Sequence, residues 1–262
     1  MKKIISLFLT GVMAASLLAG CGSADAGSKA AGSETASGTL ADGVLTVGTN
    51  AEFPPFEYVG DNGQPDGFDI ALIKAIAEKL GVEVVIENME FDSLVSSIGS
   101  KTDVAIAGMT VTEERQQSVD FSEPYYNAVQ HVLVLKDSPI AGYDDLVGKT
   151  IGTQLGTTGD FIAEEIEDAT DQQYNKAVDA VNDLVNGRLD AVIIDSNPAG
   201  VFASNFADQI KDLDGEDFGF GIEEYAIALP KGDTALKEAI DVAITNMKED
   251  GTFDKLVDEY MN

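Results

Sequence analysis

Apolar residues in this chain follow two rhythms, and the alternation between them lays out the fold. Residues 44–48 and 82–86 are dense in valine, isoleucine and leucine and predict strands. Between them Ile70, Ile73, Ile76, Ala77 and Leu80 recur at helical spacing, and Gly81 closes the helix this predicts over 70–80. Residues 50–58 carry Pro54 and Pro55 and predict a rigid loop, with a turn at 61–63. Leu94, Val95 and Ile98 predict a short helix capped by Asp92. Residues 104–107 are apolar without alternation, as parallel strands covered on both faces are. The order β-α-β-α-β implies a mostly parallel sheet with helices on both faces.

A second run of the same kind follows. Residues 130–136 predict a long strand and 150–152 another. A helix is expected from about Asp160, a second over 177–185 ending at Gly187, then a strand over 191–194 that stops at Asp195. A strand over 225–229 leads into a last helix over 234–250, with Leu236, Ile240, Ala243, Ile244 and Met247 inward. Lys101-Thr102-Asp103 before one buried strand is echoed by Arg188-Leu189-Asp190 before another. Two units of similar build suggest two α/β lobes.

Candidate chemistry sits in the loops that leave these strands. The 104–107 strand runs into Gly108-Met109-Thr110, and Thr112 is a natural N-cap for the helix that carries Glu113, Glu114 and Arg115. Open α/β sheets bind ligands at such strand ends. Arg115 either holds a carboxylate by two parallel charge-assisted hydrogen bonds or is a solvated helix arginine beside an ordinary turn. The loop Gly156-Thr157-Thr158-Gly159 opens a helix and points amides and hydroxyls at an anion. It has neither the Walker lysine nor Rossmann glycine spacing.

The N-terminus changes the setting. Lys2 and Lys3 precede an apolar run over 4–18, which ends in Leu18-Ala19-Gly20-Cys21. Residues 1–20 read as an export signal, too short to span a membrane. Cys21 is the single cysteine, so neither an intrachain disulfide nor a cysteine-based metal site is open to this chain. Residues 21–39 are mostly Gly, Ser and Ala and read as a flexible tether. Lys and Arg number 16 against 46 Asp and Glu, a formal net charge of −30. That argues against nucleic acid as a partner and against electrostatic membrane adhesion. The acidic run 212–217 lacks an EF-hand pattern, and no metal or cofactor is expected. His131, the single histidine, lies in an apolar strand and reads as structural, as do Tyr125 and Tyr126.

Several of these stretches carry a resemblance. Phe53-Pro54-Pro55-Phe56-Glu57-Tyr58, Gly67-Phe68-Asp69, residues 109–115, residues 119–125 and Gly187-Arg188-Leu189-Asp190 resemble, in order, the polar amino-acid-binding proteins of ABC importers. These are solute-binding family 3, with the type II periplasmic-binding fold. The similarity runs from Leu45 to Tyr260. The N-terminus resembles a bacterial lipoprotein signal, which implies a Cys21 acylated as the mature N-terminus. The resemblance implies two α/β lobes joined by two strands, with lobe 1 at 40–126 and 225–262, lobe 2 at 127–224, and crossing strands near 127–131 and 224–226.

The resemblance also implies roles. Arg115 takes a ligand α-carboxylate, helped by Thr110, Thr158 and the neighbouring Thr157. Asp195, the carbonyl of Gly108 and the hydroxyl of Thr110 take the α-ammonium. Phe53 and Phe91 form flat walls, while Asn50, Glu52, Ala107 and Gln154 fall near the ligand side chain. Relatives often carry an acidic residue at the Asn50 position; Glu52 either replaces that charge or faces solvent. The implied function is a lipid-anchored receptor, a monomer on the outer face of the cytoplasmic membrane or in the periplasm. It captures a polar or cationic L-amino acid and delivers it to an ABC permease. Two alternatives share the fold: a dehydratase-like enzyme acting on a small carboxylate, and an extracellular amino-acid sensor.

Overall fold

The computed structural model describes residues 38–261. The expected export signal, the lipid-attachment Cys21 and the tether as far as 37 lie outside the described residues. The tether's last two positions are folded: Gly38–Leu40 form a 3-10 turn, and the Thr39 hydroxyl donates to Asp233 at 2.6 Å. Among the described residues no helix is long and apolar enough to cross a membrane.

In chain order the first elements are β1 (Val44–Thr49), β2 (Glu52–Phe53), β3 (Glu57–Val59), β4 (Pro65–Asp66), α1 (Phe68–Leu80) and β5 (Glu83–Asn88). Then come α2 (Leu94–Ser97), β6 (Val104–Ala105), α3 (Glu113–Ser118), β7 (Val119–Phe121) and the long β8 (Tyr126–Leu135). The second α/β run is β9 (Thr150–Gln154), α4 (Thr158–Glu165), β10 (Thr170–Tyr174), α5 (Ala177–Val185), β11 (Ala191–Asp195), α6 (Ser196–Asn205) and β12 (Ile210–Leu213). The chain ends through β13 (Ile222–Tyr225), β14 (Ala228–Pro230), α7 (Thr234–Glu249) and α8 (Thr252–Tyr260).

Two sheets organise the molecule. One has the order β5-β1-β6-β14-β7 and the other β10-β9-β11-β8-β12. In the first, β5, β1 and β6 run parallel and β14 is antiparallel to both its neighbours. In the second, β10, β9 and β11 run parallel, while β8 is antiparallel to β11 and β12. The α/β two-lobe reading therefore holds, with each sheet parallel on one side and antiparallel on the other. The antiparallel pair β8–β13, with Val129 opposite Ile222 and Tyr126 opposite Tyr225, crosses between them.

The core explains the helix positions. Leu45 and Val47 of β1 pack with Leu72, Ile73 and Ile76 of α1 and with Leu236, Ile240, Ile244 and Met247 of α7. The opposite face of that sheet buries Ala105, Phe121 and Ala228 against Leu94 of α2. All five inward positions expected of α7 are buried.

Four local expectations need correction. Residues 50–58 are not simply a loop: β2, β3 and β4 form a small antiparallel sheet around the prolines. The short helix at 94–97 has no side-chain cap, and Asp92 sits inside a 3-10 turn before it. Helix α4 opens at Thr158, two residues before the expected start at about Asp160, because Thr157 caps it. The strand expected at 225–229 is two strands, since Tyr225 ends the crossing β13 and Ala228 begins β14.

Candidate functional site

The N-cap that positions Arg115 is written in the sequence. Thr112 accepts from the Arg115 amide at 3.1 Å, so α3 starts at Glu113, just past the loop that leaves β6. The guanidinium then turns back into the cleft. It donates to the carbonyl of Thr110 at 2.6 Å and to the carbonyl of Gly156, in the other lobe, at 2.9 Å. Its Cζ lies 5.3 Å from the centroid of the Phe91 ring. Arg115 is 7% exposed, and burial lowers its pKa against the opposing pull of Glu223 and Asp195.

Glycine 108 has φ of +50, and a Cβ there would stand 3.1 Å from the Phe53 ring. That absence of a side chain lets Phe53 lie against the loop. The Gly108 amide donates to Asp69 at 2.8 Å, and the Tyr125 hydroxyl donates to the same oxygen at 2.8 Å. Tyr125 packs in the core, as expected, against Phe68 and Tyr225, and its hydroxyl holds Asp69 beneath Gly108.

On the other lobe, Thr157 accepts from the Asp160 amide at 3.3 Å and donates to the Gln154 carbonyl at 2.7 Å. Asp160 accepts the Gly156 amide at 2.7 Å, so that amide is committed within the loop. Asp195 ends β11, is 7% exposed, and accepts a very short hydrogen bond from the Tyr225 hydroxyl. Burial first, and Glu223 second, push its pKa up to about 7.

The two sets of loops line one narrow cleft. Eleven of the twelve expected positions are on it: Asn50, Phe53, Phe91, Ala107, Gly108 and Thr110, then Arg115, Gln154, Thr157, Thr158 and Asp195. Glu52 is not. It pairs with Lys176 of the other lobe, outside the lining. Only its Oε1 meets Lys176; Oε2 is buried without a hydrogen-bond partner.

Two acidic residues at the site were not anticipated. Glu57 lines the cleft and is fully buried, and its carboxyl meets no donor beyond a proton it would share with the Asp69 carboxyl beside it. Burial, with Asp69 and Asp195 close by, pushes its pKa well above the ordinary value. Glu57 is the cross-strand partner of Phe53 in the β2–β3 pair, so both face the same side. The two intervening prolines hid that pairing. The other, Glu223 of β13, accepts from the hydroxyls of Thr110 at 2.6 Å and Thr158 at 2.8 Å. Nothing in the sequence around Glu223 distinguishes it from its many acidic neighbours.

With the geometry in place, comparison with known proteins gives the class. The model of the bacterial extracellular solute-binding proteins, family 3, matches residues 45–262, and the chain belongs to that family. It is 36% identical to the arginine-binding extracellular protein ArtP of Bacillus subtilis, over 98% of this chain and 96% of that one. It is 31% identical to the L-cystine-binding protein TcyJ of Escherichia coli strain K12, over 96% of this chain and 94% of that one. Among solved structures it is similar to an ancestral arginine-binding protein bound to arginine, with a TM-score of 0.79 and 39% identity. That match covers 84% of this chain and 99% of the other.

Proposed function

We propose that this protein is an exported receptor that closes its two lobes over a cationic L-amino acid and delivers it to the permease of an ABC importer. One observation carries the reading: a buried arginine, Arg115, and a buried aspartate, Asp195, line the same cleft, with Glu57 also on its wall and Glu223 acting on Arg115 and Asp195 from behind it. A zwitterion would satisfy Arg115 with its carboxylate and Asp195 with its ammonium. Glu57 lines the cleft with its pKa raised by burial, and a further positive charge on the ligand would be the partner that lets it ionise. Two of the three compared proteins are arginine-binding by name, which agrees with this charge balance.

In this reading 40–126 and 225–262 make lobe 1, 127–224 makes lobe 2, and the β8–β13 pair is the hinge. Closure around a small ligand gives it contact area that neither lobe offers alone. The receptor works as a monomer held at the membrane by a lipid on Cys21, and it binds its ligand without transforming it.

A thermal-shift screen against the common amino acids tests the reading, since a ligand that binds only the folded state raises the melting temperature. Arginine, lysine or histidine should give the largest shift. A screen led by leucine or valine would refute the cationic assignment. Recovering the bound amino acid unchanged after incubation separates a receptor from an enzyme. Cys21→Ser should move the protein from the membrane to the soluble fraction with ligand binding intact.

A further inference from the structure

The hydroxyls of Thr110 and Thr158 come from different lobes, yet both donate to the same carboxylate oxygen, Oε2 of Glu223, at 2.6 and 2.8 Å. Gln130 adds a donor to that oxygen at 3.4 Å and another to the Thr158 hydroxyl at 3.1 Å. Both threonines line the cleft, whereas Glu223 does not. Glu223 therefore stands behind the wall and reaches whatever enters through the two hydroxyls, while its charge also acts on Arg115 and Asp195.

Hydrogen-bond bookkeeping fixes what those hydroxyls offer. A carboxylate only accepts, and a threonine hydroxyl has one proton and two lone pairs. Thr158 spends its proton on Glu223 and one lone pair on Gln130. Thr110 spends its proton on Glu223 and keeps its lone pairs for the cleft. Toward the cleft, Thr110 is thus an acceptor. A ligand carboxylate placed against it would meet lone pairs, and a ligand ammonium would meet a partner.

We propose that Glu223 is a positioning residue that sets the polarity of the Thr110 hydroxyl, and so determines which way round an amino acid lies between Arg115 and Asp195. The proposal rests on the amino-acid-binding reading above. Thr110, Asp195 and the Gly108 carbonyl then form a three-acceptor seat for an α-ammonium. The carboxylate is left to Arg115 and to backbone amides. Glu223→Gln keeps the shape but presents a donor. Where its amide nitrogen faces Thr110, the hydroxyl accepts from it and turns its own proton toward the ligand's ammonium.

The test uses calorimetric titration with two probes, L-arginine and 5-guanidinopentanoate, which is arginine without its α-ammonium. Glu223→Gln should weaken L-arginine binding about ten-fold or more, the size of one lost hydrogen bond to a charged group. It should not weaken binding of the second probe, which makes no use of the acceptor seat and whose carboxylate meets an Arg115 freed of a nearby negative charge. Thr110→Val should show the same discrimination, and the double variant should lose no more L-arginine affinity than Thr110→Val alone. Equal losses for both probes would mean that Glu223 merely holds the lobes together, which overturns the proposal. So would wild-type affinity in Glu223→Gln. Thermal melts of the unliganded variants check that the fold is kept. A wild-type protein that binds no amino acid at all would instead remove the reading underneath.

Discussion

Gln154 donates its side-chain amide to the Asn50 side-chain carbonyl at 2.9 Å, and that bond joins the end of β9 in one lobe to the end of β1 in the other. Both groups are held from behind. Asn50 donates to the Met89 carbonyl at 2.9 Å, and Gln154 to the Asn175 carbonyl at 3.1 Å. The pair is neutral and buried, so it closes this end of the cleft without adding charge. Asn50→Ala or Gln154→Ala should each cost about 1 kcal/mol of ligand affinity, or roughly five-fold. The double variant should cost little more than either single, because the same bond is removed. Titration of the four proteins checks this; losses that simply add would show that the two residues act independently.

The clamp makes a larger prediction. Arg115 and Asp195 are both buried and come from opposite lobes. Truncating one partner of a buried, hydrogen-bonded charge pair costs about 2–5 kcal/mol, a roughly thirty-fold to several-thousand-fold loss of affinity. Arg115→Ala and Asp195→Ala should fall in that range with circular dichroism unchanged. Arg115→Lys should also be costly. A lysine ammonium is a single point charge and cannot reproduce the fork that reaches both Thr110 and Gly156. Folded variants with near-native affinity would remove the zwitterion clamp.

How far the sequence could be read depended on whether a feature was local. The Thr112 cap, the left-handed Gly81 that ends α1 and the inward face of α7 follow from residues a few positions apart, and all are present. The strands that open each α/β unit were equally plain, because a buried parallel strand is a continuous apolar run. Strand β10 was missed because its sequence, Thr-Asp-Gln-Gln-Tyr, is polar and it lies at a sheet edge. Helix α6 was missed because its Gly and Asn residues weaken the helical signal that its burial against β8 and β11 restores. The site was legible where it lay on strand-end loops. Glu57 and Glu223 escaped because their roles come from contacts 12 and more residues away in sequence, Glu57 with Asp69 and Asp195 and Glu223 with Thr110.

Gly67 shows how the fold supports the cleft floor. Its φ of 120 and ψ of 179 fall in a region open essentially to glycine alone, and a Cβ there would stand 2.3 Å from the Phe56 carbonyl oxygen. This geometry lets the Phe68 and Asp69 amides donate to the Pro55 and Phe56 carbonyls at 3.1 and 2.8 Å, which places the Asp69 carboxylate under Gly108. Gly67→Ala must distort that turn. We expect a loss of more than about 2 kcal/mol in stability, a fall in melting temperature of roughly 4–8 °C. Thermal denaturation checks it, and a melting temperature within a degree of wild type would show that the turn relaxes freely.

The acids in the cleft link binding to pH, and the sign can be worked out. Burial, then Glu223, raise Asp195 from 3.8 to about 7; burial raises Asp69 to about 6, against hydrogen bonds from Gly108 and Tyr125. Between the unfolded and folded values the folded chain holds protons that the unfolded chain has lost. The fold therefore keeps this contribution to stability at low pH and loses it as pH rises toward 7. Ligand affinity should move the other way. An α-ammonium needs Asp195 ionised, so binding below pH 7 must expel a proton, and affinity should climb with pH between about 5 and 7, by at most about ten-fold per unit for each proton released. The melting-temperature shift given by a fixed L-arginine concentration should therefore grow over the same interval. Titrations near pH 6.5 in phosphate and in bis-Tris, whose ionisation enthalpies differ, read the released proton directly. Asp195→Asn should reduce that release, and identical heats in the two buffers would show that no proton leaves the site.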